Sequence, residues 1–184
     1  MANQLTPNNP LVQEIRELVK NARTTVAQQV NTQLLSTYWQ IGRAIVEYEQ
    51  QSQLRAEYGK QALKELSKEL TKEFGKGFSV SNIQFMRRFY QTYSIQQTVS
   101  VKLSWSHYCE LLSVTDSDKR SFYEKETLNS GWSVRELKRQ INSSLYERLL
   151  LSDGAANKEK VLSLAQNGIE LARPADIIRD PYVF

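Results

Sequence analysis

The sequence predicts an all-α protein: a multi-helix bundle with a long N-terminal helix, a helix-turn-helix-like unit and at most one short β-strand or hairpin. Two observations carry this prediction. Helix-breaking residues are scarce, because the 184 residues include only 7 Gly and 4 Pro, and the prolines lie close to the two ends. Apolar residues also recur at steps of three or four along most of the chain, which is the spacing of a buried helical stripe.

The composition excludes several classes of protein. The 24 Lys and Arg against 20 Asp and Glu leave a net charge of only +4, so a basic function requires local segregation of charge. A single Cys and a single His exclude an internal disulfide and a Cys/His zinc site, and we expect no metal or cofactor. The N-terminus lacks a signal-peptide pattern and no apolar run approaches a membrane span. These features predict a cytoplasmic protein with no membrane partner.

The first predicted element is a very long helix that follows a disordered N-terminus of residues 1–10. Pro10 fits a first helical turn, and apolar residues then continue at helical spacing from Leu11 to Ile45. A helix of some 37 residues would extend roughly 55 Å, longer than a domain of this size needs. Part of it is therefore expected to pack against a second chain as a homodimer. Two helices separated by a kink are an equally good interpretation.

After a Gln-rich linker or frayed helix end at residues 49–53, residues 58–74 predict a second helix whose charges are sorted by face. Lysines recur every fourth residue on one side and glutamates occupy another flank. Gly75 and Gly77 then supply a turn. The apolar stripe of this helix consists of Leu63, Leu66, Leu70 and Phe74.

A third helix begins after the glycine turn and ends near Tyr93. Ser79 or Ser81 is a suitable N-cap, and Ser81 with Gln84 fits a capping box. Residues 98–105 then alternate apolar and polar side chains, which favours one short strand or an extended linker.

The remaining helices are shorter. One is expected over residues 106–113, and a second, capped near Thr115 or Asp118, closes near Gly131. Ser133 and Glu136 form a capping box that opens a helix continuing to Leu149. This helical domain spans residues 11–152. Residues 153–184 are predicted to hold a weak helix over 158–166 and a linker.

Catalytic patterns are weak. On a helix, His107 and Cys109 diverge by roughly 200°, so they are not expected to act as base and nucleophile. Glu136 and Lys138 have the E-x-K spacing of PD-(D/E)XK nucleases. Those enzymes place the motif on a β-strand, where both side chains share a face, whereas our predicted helix separates them. We expect no catalytic residue in this chain.

The positive signal is DNA binding by the helix-turn-helix-like unit of residues 58–93. Residues 60–90 carry seven Lys and Arg against three Glu, a local charge equal to that of the whole chain. Small polar side chains at the start of the third helix suit phosphate and base contacts. A solvated face with lysines paired to glutamates is the alternative. The predicted DNA-binding residues are Lys68, Lys72, Lys76, Ser79, Ser81, Asn82, Gln84, Arg87 and Arg88, with a second basic anchor at Arg135, Lys138 and Arg139.

Several motifs occur in the order seen in one bacterial family. They include Tyr38-Trp39-Gln40-Ile41-Gly42, Phe74-Gly75-Lys76-Gly77-Phe78-Ser79 and Trp132-Ser133-Val134-Arg135-Glu136-Leu137. Over roughly residues 11–184 the chain resembles the N-terminal domain of the YhcG-like proteins.

In that family a PD-(D/E)XK nuclease domain follows the N-terminal domain. The final residues, 179–184, resemble the joint between the two, and the sequence stops there. The resemblance implies a non-catalytic DNA-binding or targeting module of a bacterial nuclease, with the nuclease domain as its partner in the parent protein. The alternative is an oligomerisation and protein-interaction scaffold that does not contact DNA.

Overall fold

The computed structural model of the protein describes residues 9–51, 56–93, 100 and 102–151. Within these ranges the chain is helical and contains no strand, which confirms the predicted all-α class. None of the described helices is both long enough and apolar enough to span a membrane. In chain order the α-helices are α1 (Pro10–Gln51), α2 (Ala56–Phe74), α3 (Val80–Thr92), α4 (Trp105–Leu111), α5 (Ser117–Ser130), α6 (Val134–Asn142) and α7 (Leu145–Leu151).

Some predictions concern residues outside these ranges. They are residues 1–8 of the N-terminus predicted to be disordered over 1–10, the helix over 158–166 and the linker that ends the chain. Residues 9 and 10 of that N-terminus are described and form the start of α1. Most of the alternating segment also lies outside them, although its described residues 102–104 form a turn that leads into α4.

Helix α1 is continuous over its 42 residues, so the single-helix interpretation is confirmed and the kinked alternative is wrong. The side-chain carbonyl of Asn9 accepts the Leu11 amide at 3.0 Å and satisfies one free donor at the helix start. Pro10 occupies the first turn as predicted. At about 1.5 Å per residue, α1 is roughly 63 Å long.

The turn between α2 and α3 depends on glycine and serine. Gly75 has a φ of 88°, in the left-handed region that favours glycine, and a 3-10 helix over Lys76–Phe78 follows. Ser79 caps α3, because its hydroxyl oxygen accepts the Asn82 amide at 3.3 Å. The predicted Ser81–Gln84 capping box is therefore wrong, since the cap lies two residues earlier.

Capping side chains also define α4 and α5. The Ser104 backbone N–H donates to Nδ1 of His107 at 3.2 Å, the Ser104 hydroxyl oxygen lies 2.8 Å from the same nitrogen, and this pair fixes the start of α4. Asp116, rather than Thr115 or Asp118, caps α5 by accepting the Lys119 amide at 2.7 Å.

The predicted end of α5 at Gly131 is confirmed, with a left-handed φ of 63°. The Ser133–Glu136 capping box of α6 is also confirmed. The single helix predicted from there to Leu149 is wrong, because Ser144 adopts a φ of 52° and separates α6 from α7. The break lets α7 change direction and return to the core.

The C-terminal half of α1 packs on α3 and α4. At Gly42 a Cβ atom would lie 2.1 Å from the Met86 carbonyl oxygen, so only glycine permits this approach of the two backbones. One turn earlier, the Trp39 indole N–H donates to the Tyr93 carbonyl at 2.7 Å. Asn31 donates from its side-chain amide to the Leu103 carbonyl at 2.9 Å. These contacts hold α3 against a rigid support.

An aromatic core lies beneath α3 and joins it to α4–α7. Phe89 stacks at a tilt on Tyr108 with ring centroids 5.0 Å apart, and Phe122 contacts Tyr146 at 5.3 Å. Leu137 of α6 is completely buried in the same cluster. The core therefore fixes the position of α3 relative to the second basic segment on α6.

Candidate nucleic-acid interface

The turn before α3 is braced from two sides. The hydroxyls of Ser67 and Thr71 on α2 both donate to the Phe78 carbonyl, at 2.8 and 3.2 Å. The Asn82 side-chain amide donates to the Gly77 carbonyl, and its oxygen accepts the Trp105 indole N–H at 2.7 Å. The turn is thereby tied to both α2 and α4, which holds the N-terminus of α3 in place.

Two of the predicted contact residues are engaged in this bracing. The Ser79 hydroxyl caps the helix, and both ends of the Asn82 amide are bonded within the protein. A phosphate or base that contacts Ser79 or Asn82 has to compete with these internal hydrogen bonds. The simplest role for them is to orient the neighbouring side chains.

An exposed polar face of α3 lies beyond the turn. Ser81, Gln84, Arg88 and Gln91 are all exposed, whereas Ile83, Met86 and Phe89 on the other side are fully buried. At about 100° per residue the four polar residues fall within roughly 80° of one another, on one side of the helix. This face presents hydroxyl, amide and guanidinium groups over nearly three turns. Gln91 was not among the predicted site residues, although its spacing from Arg88 places it there.

The two adjacent arginines of α3 have different surroundings. Arg87 Nε donates to the Glu49 carboxylate of α1 at 2.7 Å, and both side chains are partly buried. The Arg88 guanidinium carbon lies 5.9 Å from the centroid of the Phe85 ring, a cation–π distance, and the side chain is open to solvent. Only Arg88 is therefore presented outward with its charge uncompensated by a carboxylate in the described contacts.

The predicted backbone-contacting lysines are exposed. Lys68 and Lys72 lie on α2 and Lys76 lies in the 3-10 helix. Among the described residues, none of the three forms an ion pair within 4 Å with a glutamate of α2. All three are solvent-exposed charges, a placement shared by the DNA-binding prediction and the solvated-face alternative.

The second basic segment forms its own shallow depression of about 490 Å³ on α6. It is lined by Arg135, Lys138 and Arg139 together with Asn142 and Ser143. Lys138 also bonds the Glu110 carboxylate of α4 at 3.2 Å, and the lysine side chain of this pair remains exposed. The structure thus brings all three predicted basic residues together, beside the polar side chains of Asn142 and Ser143.

The E-x-K pair lies on a helix, as predicted. The Glu136 carboxylate accepts the Ser133 amide and hydroxyl, each at 2.8 Å, and these bonds hold its pKa below the usual range. Lys138 bonds elsewhere and Leu137 between them is buried. The two side chains therefore do not share a metal-binding face.

The other catalytic candidates are also engaged in structural contacts. His107 donates from Nε2 to the Trp132 carbonyl at 3.1 Å while its Nδ1 caps α4. Burial raises the pKa of the Cys109 thiol to about 11, so it is a neutral thiol at physiological pH. Across the described ranges no group of three metal-ligating side chains converges.

An apolar groove, which the sequence did not predict, separates α1 from α2. It has a volume of about 550 Å³ and is lined on one side by Leu63, Leu66 and Leu70 of α2 and on the other by Ile41 and Ile45 of α1. The leucine stripe of α2 therefore faces a gap, while α2 packs on the turn through the buried Ser67. Phe74, the last member of the stripe, is 62% exposed.

Comparison with known proteins gives two matches. The sequence profile of the family described as "DUF1016 N-terminal domain" matches residues 14–148. The chain is 41% identical, over an alignment of 201 positions, to the protein named "Putative nuclease YhcG" from Escherichia coli (strain K12). That alignment covers 92% of this chain and 53% of the relative, so the chain spans about half the length of its relative. No solved structure matches the chain significantly.

Proposed function

The chain belongs to the family of DUF1016 N-terminal domains, and from this membership we propose that it is the DNA-binding or targeting module of a bacterial, cytoplasmic PD-(D/E)XK nuclease. The name of the relative supports the association with a nuclease. In this proposal the hydrolytic chemistry belongs to the part of such a protein that this chain does not match. The chain itself contributes no catalytic residue.

The observation that carries the proposal is the exposed face of α3. Ser81 and Gln84 offer hydrogen-bonding groups suited to phosphates or base edges, and Arg88 adds a charge that is free of a carboxylate in the described contacts. Lys72 and Lys76 lie at the adjoining turn and supply phosphate-neutralising charge. The braced turn and this exposed face support our assignment of α3 as the recognition helix.

The other predicted residues have supporting roles in this account. Ser79 and Asn82 fix the helix start, and Arg87 ties α3 to α1 through Glu49. Lys68 extends the basic edge along α2. The α6 depression, formed by Arg135, Lys138 and Arg139, is a second phosphate anchor.

Fluorescence anisotropy tests the proposal. Labelled duplex and branched DNA are titrated with the protein at low and at physiological salt, and we expect affinity to fall steeply as salt rises, because bound phosphates release counterions. Absence of binding even at low salt would contradict the proposal.

The two arginines provide a matched pair, since each substitution removes one charge from neighbouring positions. Arg88→Gln is expected to weaken DNA binding about tenfold with no loss of stability. Arg87→Gln breaks the Glu49 ion pair and is expected to lower stability by about 0.5–1 kcal/mol with a smaller effect on DNA. If both variants and the wild type bound DNA with equal affinity, α3 would not be part of the DNA-binding surface.

A second candidate is an oligomerisation scaffold, and a specific observation favours it. The N-terminal half of α1 exposes large apolar side chains, including Leu18 at 64%, Val26 at 57% and Val30 at 62%. An isolated helix with such a stripe is stabilised when another surface covers it. Self-association through this helix is compatible with DNA binding and adds a homodimeric partner to the proposal.

A further inference from the structure

One side of α1 carries an apolar face along most of its length, interrupted by the polar residues Gln33, Thr37 and Gln40. At about 100° per residue its members fall within roughly 120° of the helix circumference. Leu35, Trp39 and Val46, which pack toward α3 and α4, lie on the opposite side. The apolar face consists of Ile15, Val19, Ala22, Val26, Val30, Leu34, Ile41, Ala44 and Tyr48.

The two ends of this face differ in shape. In the N-terminal half it is a convex stripe on a single helix, with no other described helix packed against it. In the C-terminal half Ile41, Ala44 and Tyr48 form the floor of the apolar groove whose other wall is the leucine stripe of α2. A convex helix stripe and a concave groove of about 550 Å³ are complementary in shape.

The charges beside the two ends are also complementary. The helical positions of Arg16, Lys20 and Arg23 follow one edge of the N-terminal stripe. The groove is bordered by Glu65 and Glu69 of α2. A basic edge would therefore meet an acidic border if the stripe entered the groove.

We propose that the groove between α1 and α2 receives the N-terminal half of α1 from a second copy of this chain, in a reciprocal antiparallel dimer. Each copy inserts its stripe into the groove of the other, and we call one such stripe-in-groove contact a seat. A twofold axis near the middle of α1 relates the two identical seats. This inference rests on the self-association in the second candidate function and is independent of DNA binding. It identifies the α1–α2 groove as the surface that the N-terminal half of α1 contacts in the second copy.

The reciprocal arrangement accounts for the unusual length of α1. Twenty residues beyond the packed half extend roughly 30 Å, which suits an extended contact with the same helix of a partner. Stable protein–protein interfaces bury about 1,200–2,000 Å² in total, and a reciprocal dimer buries the stripe and the groove twice.

Size-exclusion chromatography with light scattering tests this dimer. The wild-type chain is expected to be a dimer and Val26→Glu a monomer. Circular dichroism should show that the monomeric variant is still folded. Asn21→Glu is the matched control, because it adds the same charge at an exposed position on the opposite side of α1 and should leave the dimer intact.

The groove is tested on α2. Glu69→Lys is a surface change that should raise the dimer dissociation constant about tenfold or more, whereas Glu73→Lys, one turn further and outside the groove, should not. Combining Glu69→Lys with Lys20→Glu should restore association. Leu66→Glu should also give monomers, and mixing it with Val26→Glu should recover a weaker heterodimer, because one seat remains intact.

The outcomes separate this inference from the broader proposal. If Val26→Glu gives monomers while Leu66→Glu and Glu69→Lys remain dimeric, the groove is not the seat and self-association occurs through α1 alone. A wild-type chain that is monomeric at high concentration would overturn both the groove contact and self-association through α1. DNA titration of the Val26→Glu monomer then reports on the DNA surface separately.

Discussion

The two halves of α1 are parts of one continuous helix, yet they have opposite relations to the rest of the protein. In the C-terminal half Leu35, Ile45 and Val46 are at least 93% buried and Gly42 lies against the backbone of α3. In the N-terminal half Leu11, Ile15 and Leu18 are half exposed or more. Helical periodicity is similar in both, so the pattern that predicts a helix does not reveal what covers it.

This contrast separates a folding surface from an association surface. Substitutions in the packed half are expected to change the free energy of unfolding, because the lost contacts lie within one chain. Substitutions in the protruding half are expected to change association while the fold remains intact.

Gly42→Leu is expected to have the largest effect. Its Cβ would overlap the Met86 carbonyl, so α1 and α3 must separate and the variant should lose about 3 kcal/mol or more. Ala27→Leu, an equivalent enlargement at an exposed site of α1, should stay within about 0.5 kcal/mol of wild type. Urea denaturation measures both. Equal stability of the two variants would contradict the close approach of α1 and α3.

A pair of leucine truncations sharpens the same contrast. Leu35 is 3% exposed and Leu35→Ala should cost about 2–4 kcal/mol, because it leaves a cavity beneath α3. Leu18 is 64% exposed and Leu18→Ala should alter the stability of the monomer by less than about 0.5 kcal/mol. Thermal unfolding in the Val26→Glu background measures these effects without a contribution from the proposed dimer. A comparable loss from both truncations would show that the protruding half is packed in the monomer.

Helix α5 carries a buried carboxyl whose titration affects the stability of the fold, whereas the glutamates in the protruding half of α1 are exposed. Glu126 is 1% exposed, and burial raises its pKa from 4.5 to about 7. The folded state therefore binds this proton more tightly than the unfolded state, and stability falls as pH rises from about 4.5 to about 7.

Glu126→Gln removes that dependence. We expect the variant to match wild type near pH 4.5 and to be more stable by roughly 3 kcal/mol at pH 8. Chemical denaturation at the two pH values measures the difference, and comparison with wild type cancels the titration of Glu124, whose pKa burial also raises. A variant less stable than wild type at pH 8 would show that the charged carboxylate is stabilising.

Local signals in the sequence predicted much of the fold. The S-x-x-E pattern at Ser133 and the glycine at position 131 correctly defined the start of α6 and the end of α5. The same apolar spacing continues across Ser144, so the break between α6 and α7 left no signal in the pattern. The His107–Ser104 pair was missed because histidine is an uncommon third residue of a capping box.

The candidate site was less predictable than the fold. The sequence grouped Arg135, Lys138 and Arg139, which do lie together on α6, but it gave Arg87 and Arg88 the same status. Their difference depends on Glu49, which lies 38 positions away and becomes a neighbour only when α1 packs on α3. The groove behind the α2 leucines was missed for the same reason, since its other wall belongs to α1.

The most direct test of the central claim is to locate the DNA contact. A photo-crosslinking amino acid is placed at Gln84 on the exposed face of α3 or at Asn21 on the protruding half of α1, and each protein is irradiated with labelled duplex DNA. Our account predicts a covalent DNA adduct from position 84 that disappears at high salt, and none from position 21. An adduct from position 21 alone, or from neither position under conditions where anisotropy shows binding, would contradict it.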